Sequence, residues 1–352
     1  GTIAGNLWLV GSGDPSFRSD DLRRGVDALA RAGVRTIAGG IRVDASAMRG
    51  PEINPHWNPA DAGEDYDAPT SGMSIDEDTA EFRVYGGAPG TAARVVVVPH
   101  SSALRVSGEI VSGGGDNVII APQGTPNVFA LSGSIPAQTE EKFWLPVHGI
   151  PAYAGNVLAA MLREASIRTA GPPDVQPAPL DSVALWDHRS AALTDLIARM
   201  LFVSDNHYAE QLLRTVGGDV SGAPDDAGGI AAEEAFLRRQ GIPTHGFHVV
   251  DGSGLAEVDR VSAMTLARVL TDAHLYRLLP QGGRDGTLKH YDFTTALGRV
   301  RAKTGHLSDA ASLAGYVNTM RHGRIVFAFM INDSPGDPDA AYVRAVDLLA
   351  KM

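Results

Sequence analysis

The sequence predicts an α/β protein in two parts: an α/β module with a β-rich insertion, then helices followed by one antiparallel strand pair. Three observations predict it. Residues 3–10 and 34–43 read as strands on either side of an amphipathic stretch, a strand–helix–strand unit. Between 80 and 146 short β-branched and aromatic runs alternate with Gly, Pro and Asn turns, which marks a β-rich insertion. Beyond the Pro-rich stretch Ala170 to Pro179 the apolar residues recur at helical spacing, and strand signals return only near the end.

The elements follow in order. The first strand ends in the turn Gly11 to Pro15. Asp20 or Asp21 can cap a helix whose apolar face is Leu22, Val26, Leu29 and Ala30 and which closes at Gly33. The second strand region, 34–43, is broken by Gly39-Gly40. Residues 50–80 are irregular, with Trp57 and Tyr66 embedded among Pro, Asp and Gly. Short strands are expected at 80–86, 92–99, 104–111, 117–121, 126–135 and 142–146. A helix follows at about 153–165, beginning near Tyr153. The main boundary is placed in the linker 170–179. This gives an accessory module at 1–170, with an α/β part at about 1–45 and 136–170 and a nested β-rich part at about 46–135. In 171–352 helices are expected near 193–203, 205–216, 227–240, 262–274 and 339–351, with strands near 298–304, 311–319 and 324–332. That order fits an α/β sandwich with one antiparallel sheet.

Composition narrows the function. The formal charge of −11 argues against non-specific nucleic-acid binding, which needs basic surface. The absence of cysteine removes disulfides, thiol catalysis and Cys-ligated metal together. No run approaches the length of a membrane span. The only lysines are Lys142, Lys289, Lys303 and Lys351, in a chain whose basic residues are otherwise arginine. Each retained lysine therefore draws notice, because Lys can lose its proton on burial and Arg cannot.

Two triplets carry chemistry. Ser204-Asp205-Asn206 lies between two amphipathic stretches, at a helix-to-helix corner where a hydroxyl and an amide can face one cleft; the plainer alternative is a helix N-cap, since all three residue types favour that position. Lys303-Thr304-Gly305, followed by His306, falls on a strand beside a turn. A strand-borne Lys next to a hydroxyl makes a carboxylate clamp, and Gly lets a ligand approach the backbone; the plainer alternative is a solvated edge strand with a protective Lys. Together they match two of the three elements S-x-x-K, S-D-N and K-T-G of penicillin-recognising serine enzymes. The third is absent: Thr139, Gly286, Val300 and Leu348 stand three residues before the four lysines, and none is serine.

With these motifs the chain resembles the low-molecular-mass penicillin-binding proteins of the D-alanyl-D-alanine carboxypeptidase type, class C, the subgroup with a large inserted module. Gly5 to Pro15 (GNLWLVGSGDP) is similar to that family's G-D-L-Y-L-V-G-x-G-D-P segment. Ile41 to Asp44, the Trp57 to Pro69 stretch, His188 to Ser190, Asp251 to Leu255 and Asp285 to Leu288 match as well. The resemblance implies a penicillin-binding transpeptidase-like α/β sandwich, with 171–352 as the C-terminal portion of the serine-acyltransferase domain. The family's S-x-x-K precedes the segment matched by Gly5 to Pro15, so the nucleophile and its base are expected from an N-terminal segment of the same protein outside this chain.

The resemblance also implies roles. Ser204 would relay a proton to the leaving amine, Asn206 would hold the substrate amide, and Lys303 would supply positive potential. Thr304 would bind the terminal carboxylate, Gly305 would admit the substrate, and the backbone N–H of His306 would serve the oxyanion hole. Trp57, Asp61 and Tyr66 could line the pocket for the substrate side chain, Asp61 meeting a diamino acid's amine; otherwise they belong to a packed loop. No cofactor or metal is expected: His245-x-x-His248 has no acidic partner at zincin spacing. The expected partners are peptidoglycan stem peptides and β-lactams, not nucleic acid, and the expected place is outside the cytoplasm, in the envelope, the periplasm or the medium. The resemblance implies a DD-peptidase acting through a serine acyl-enzyme, a carboxypeptidase that could also be an endopeptidase. The alternative is a non-catalytic peptidoglycan-binding relative; a β-lactamase shares both motifs but would have no counterpart to the first 170 residues.

Overall fold

The computed structural model describes residues 1–352 apart from Ala68, Asp272 and Pro335. By internal contacts the chain forms two units: Gly1–Pro55 with Pro59–Ser190, and His56–Asn58 with Ala191–Met352.

The first unit opens with the expected strand–helix–strand pattern: β1 (Thr2–Ile3), β2 (Leu7–Val10), α1 (Ser19–Arg31), β3 (Thr36–Ile37) and β4 (Ile41–Asp44). β1 pairs in parallel with β3, and β2 with β4. The break at Gly39-Gly40 separates β3 from β4 as the sequence suggested. A side chain at Gly39 could not be housed, because its Cβ would lie 2.7 Å from the backbone of Gly5. Leu22, Val26 and Leu29 of α1 are buried.

The start of α1 differs from expectation. Arg18, not Asp20 or Asp21, is the N-cap. The first helical N–H, of Ser19, donates to Asp76 Oδ1 at 3.0 Å, and the Arg18 N–H donates to Asp21 Oδ2 at 3.0 Å. A carboxylate from a remote turn takes a role that local sequence assigns to the helix itself.

The β-rich part holds β5 (Thr79–Tyr85), β6 (Arg94–Val98), β7 (Arg105–Gly108), β8 (Val111–Ser112), β9 (Ile119–Pro122), β10 (Val128–Ser132), β11 (Ser134–Ile135) and β12 (Glu140–Pro146). β12, β5 and β6 form an antiparallel sheet; β10 joins β7 and β9; β8 pairs β11. Val84, Ile110, Leu131 and Ile135 close a small core there. Then α2 (Ile150–Glu164) buries Tyr153, Val157, Leu158, Met161 and Leu162 against the core around Ile37, Ile41 and Val43. β13 (Arg168–Thr169) adds to β3. The Pro-rich stretch 170–179 lies inside this unit, where β14 (Asp174–Val175) pairs with β4 and the Gln176 N–H donates to the Val43 carbonyl at 3.0 Å.

The second unit contains α3 (Leu193–Val203), α4 (Asn206–Val216), α5 (Asp226–Arg239), α6 (Ala263–Val269) and then β15 (Val300–His306), β16 (Ala310–Asn318), β17 (Arg324–Asn332) and α7 (Pro338–Lys351). α6 is shorter than the expected helix over 262–274: it ends at Val269, and the Thr271 hydroxyl takes up the Arg268 carbonyl at 2.6 Å. Asp272, inside that expected helix, and Ala68, inside the matched Trp57 to Pro69 stretch, lie outside the described residues.

The three strands make one antiparallel sheet in the order β15-β16-β17. Tyr342 and Val346 of α7 pack with Val300, Ala302, Leu313 and Val317 on one face. Leu201 of α3 and Leu266 of α6 pack with Ala314 and Tyr316 on the other. Helices on both faces of one sheet make the α/β sandwich.

Candidate active site

Ser204 and Asp205 are the whole link between α3 and α4. Ser204 closes α3 in the left-handed region, at φ 62° and ψ 51°, where few non-Gly residues sit. Asp205 is extended and caps α4, accepting the Tyr208 N–H at 3.2 Å. Its carboxylate also pairs with Arg199 at 3.2 Å. The capping alternative raised by the sequence thus applies to Asp205. Ser204 is left exposed at the corner, and Asn206 begins α4.

Lys303 lies mid-strand on β15. Val300, Ala302 and Thr304 are buried, so alternation turns Lys303 to the opposite face. Its Nζ donates to Ser204 Oγ at 2.6 Å and to the Thr304 carbonyl at 2.5 Å. Among the described residues no carboxylate pairs with it, and burial pushes its pKa down to about 8. The structure thus brings together two residues 99 positions apart.

The other residues singled out in the sequence fall as follows. Thr304 is buried and its hydroxyl donates to Thr287 Oγ1 at 3.0 Å. Gly305 faces Ser312 across the sheet, and a Cβ there would come within 2.5 Å of the Ser312 hydroxyl. The His306 ring is exposed, with Nε2 2.9 Å from Asp339 Oδ1; the same oxygen accepts the Tyr291 hydroxyl at 2.6 Å. The flanking bonds Asn318 N–H to Arg299 O and Leu307 N–H to Ala310 O fix which residues of β15 bond to β16. Antiparallel alternation then points the N–H groups of Thr304 and His306 off the outer edge of the sheet.

Trp57 is buried in the second unit, and its indole N–H donates to Asp251 Oδ2 at 2.9 Å. That placement makes it an anchor of the chain rather than an open wall. Asp61 belongs to the first unit, beside Tyr66 and Asp67. Burial first, and then the charge of Asp61, raises Asp67 to about 6.

Sequence reasoning missed the buried carboxylates behind the corner. Asp251 also accepts the N–H groups of Gly254 and Ala256, at 2.7 and 2.8 Å. Glu210, on α4, accepts those of Gly252 and Ser253, at 2.9 and 2.7 Å. Burial, with the charge of Asp251 added, pushes Glu210 up to about 8 and Asp259 up to about 7. These groups tie the Asp251 to Leu255 segment to the helix that begins at Asn206. The signal was present in that segment: an acid followed by Gly-Ser-Gly offers a run of backbone N–H donors to nearby carboxylates. Thr287 and Asp339 were missed too, being partners only through the fold.

A one-sheet α/β sandwich with a corner serine held against a strand lysine defines the class of penicillin-recognising serine enzymes. The chain belongs to the D-Ala-D-Ala carboxypeptidase 3 (S13) family, whose profile matches residues 1–351. It is 30% identical over 369 residues to a D-alanyl-D-alanine carboxypeptidase of Actinomadura sp. (strain R39), covering 97% of this chain and 68% of that one. It is 26% identical over 368 residues to D-alanyl-D-alanine carboxypeptidase DacB of Haemophilus influenzae, covering 98% and 76%. In fold it is similar to the crystal structure of penicillin binding protein 4 from Haemophilus influenzae, with a TM-score of 0.84 and 23% identity over 100% of this chain and 83% of that one. The structure of that protein complexed with a β-lactam gives a TM-score of 0.77 at 24% identity, over 99% and 81%.

Proposed function

We propose that this chain carries the Ser204 and Lys303 half of a DD-peptidase active site that cleaves the terminal D-Ala–D-Ala bond of peptidoglycan stem peptides, outside the cytoplasm. The nucleophilic serine and its activating lysine come from an S-x-x-K segment not among these residues. The serine oxygen attacks the carbonyl carbon, the C–N bond breaks, and the leaving amine takes a proton through Ser204. Water then hydrolyses the ester. β-Lactams acylate the same serine.

The observation that carries this reading is the 2.6 Å bond from Lys303 Nζ to Ser204 Oγ. A serine already hydrogen-bonded to a cation is poised to pass a proton, because the cation stabilises the oxygen as its proton leaves. Asn206, at the first turn of α4, holds the substrate amide. The outer edge of β15 is taken by Pro280 and Gly282 as far as Ala302, and beyond it the Thr304 to His306 stretch suits an extended peptide, which can pair with backbone groups there. On that edge the His306 N–H serves the oxyanion. Thr304 contributes its hydroxyl to the substrate carboxylate by giving up Thr287, and Gly305 keeps the approach open. The second unit, which holds most of the 171–352 stretch, then forms part of the acyltransferase domain, and the first unit an accessory module.

The test adds an upstream segment bearing S-x-x-K to this chain, either continuous or as a separate peptide. Fluorescent penicillin should label the longer protein at that serine, by intact mass, and should not label the 352-residue chain. Labelling of the short chain at one of its own serines would mean a different nucleophile. Absence of labelling in the longer protein would favour the non-catalytic peptidoglycan-binding reading.

A further inference from the structure

The first unit carries a cleft that the proposed function does not use. Its volume is about 260 Å³, and it lies between the start of α1, the turn before β5 and the open face of the β12-β5-β6 sheet. On that face Trp144, Glu81 and Val98 stand side by side across the three strands. Trp144 is 48% exposed, which is unusual for an indole that could have packed inward.

Two further features mark the cleft as built. Asp76, Glu77 and Asp78 are all left-handed, at φ 54°, 57° and 54°. Non-Gly residues enter that region singly and rarely, so three in succession are a strained turn, and such strain collects at ligand sites. Two buried polar atoms of the lining, Asp76 Oδ2 and Arg83 Nε, have no hydrogen-bond partner. Buried polar atoms are nearly always satisfied, so a pair of them in one cleft calls for a ligand.

The chemistry of the lining narrows that ligand. Each guanidinium is already matched with a carboxylate: Arg18 with Glu77, and Arg83 with Glu81 at 2.7 Å. A charged ligand would have to compete with an ion pair. A neutral ligand with closely spaced hydroxyls can bridge donor and acceptor in each pair, and an apolar ring face can lie on Trp144. The volume falls just below the usual range for small-molecule sites, which suits one ring rather than several.

We propose that this cleft is a carbohydrate subsite that takes one pyranose ring of a glycan. The ring stacks on Trp144, and its hydroxyls bridge the Arg18–Glu77 and Arg83–Glu81 pairs. Assigning the ring to a peptidoglycan glycan strand rests on the proposed function; the sugar chemistry of the cleft does not.

Calorimetric titration of the 352-residue chain with chitotetraose, cellotetraose and trilysine tests this. The expected result is saturable binding of a tetrasaccharide, weakened at least tenfold by Trp144→Ala and by Arg83→Met. Trp144 is exposed, so its variant should keep the wild-type Tm and circular dichroism. Preference for chitotetraose ties the ring to an N-acetylated wall glycan; equal binding of both sugars keeps the sugar site and removes that tie. No saccharide binding, binding unchanged in both variants, or saturable binding of trilysine alone would overturn the proposal. Penicillin labelling plays no part in the readout, so failure here is separable from failure of the peptidase reading.

Discussion

Lys303 carries most of the proposed site, and its protonation can be measured. Burial lowers its pKa from 10.5 to about 8. At about 1.4 kcal/mol per unit, the fold disfavours the charged lysine by about 3 kcal/mol relative to water. That figure is net of its bonds to Ser204 Oγ and the Thr304 carbonyl, which act against a larger cost of burial. Lys303→Met keeps the apolar stem and removes the ammonium, so at pH 7 it should change stability by no more than about 1 kcal/mol. The difference should then grow with pH. Between pH 8 and 10.5 the unfolded chain holds a proton on Lys303 that the folded chain has released, so wild-type stability rises over that window. Urea unfolding of wild type and Lys303→Met at pH 7 and pH 10 should show the wild type gaining up to about 3 kcal/mol on the variant. A direct readout is available because the chain has few lysines: ¹³C-labelled lysine side chains, with the Lys303 signal assigned by its loss in the variant, should give a midpoint near 8. A midpoint near the ordinary lysine value, or a stability difference flat with pH, would refute the burial argument. In the longer protein acylation should decline as pH rises through about 8, because the charge at the site is then lost. Lys303→Ala should lower acylation by about 10² to 10³, the scale of one preorganised donor.

Three more substitutions separate function from packing. Ser204→Gly relieves a left-handed side chain at φ 62°; the chain should keep or slightly raise its Tm, while acylation of the longer protein falls sharply. A clear loss of stability would show that the corner depends on the Ser204 bond. Asp205→Ala removes the cap of α4 and the Arg199 ion pair, and should cost about 1 to 2 kcal/mol by chemical unfolding; no change would mean that Asp205 is not the cap. Trp57→Phe leaves buried Asp251 without its indole donor and should cost about 1 to 3 kcal/mol. If Trp57 is an anchor, preference among stem peptides with different third residues should be unchanged; an altered preference would return it to the substrate pocket.

Much of the architecture was legible because local patterns and tertiary demands agree. The helices at 193–203 and 206–216 and the strand pair at 310–318 and 324–332 have apolar residues at the right period and turns between them. The Gly39-Gly40 break could be read because only Gly tolerates the close passage of the Gly5 backbone. The two triplets could be read as a pair because their residue types have few shared purposes. What could not be read depends on partners far along the chain. Asp76 caps α1 across 57 residues, and the Asp76 to Asp78 turn lacks the Gly or Asn that would announce left-handed backbone. Local sequence therefore offers Asp20 or Asp21 as the cap, and the acidic turn falls within the irregular stretch 50–80.

The same division explains what was and was not seen at the site. Sequence pattern could name Ser204 and Lys303, since a corner and a strand are local features. It could not say which member of the corner triplet would cap the helix. The structure answers through geometry: Asp205 takes the cap, so Ser204 can close α3 in a strained conformation and turn its hydroxyl to Lys303. Behind them Glu210 and Asp251 spend their carboxylates on backbone N–H groups, which fixes the segment after α5 against α4. Burial, with the charge of Asp251 added, holds Glu210 near 8, so at neutral pH it leans toward the neutral form. A corner built this way sets the Lys303 ammonium against the Ser204 hydroxyl, while the acids behind it are spent on backbone N–H groups.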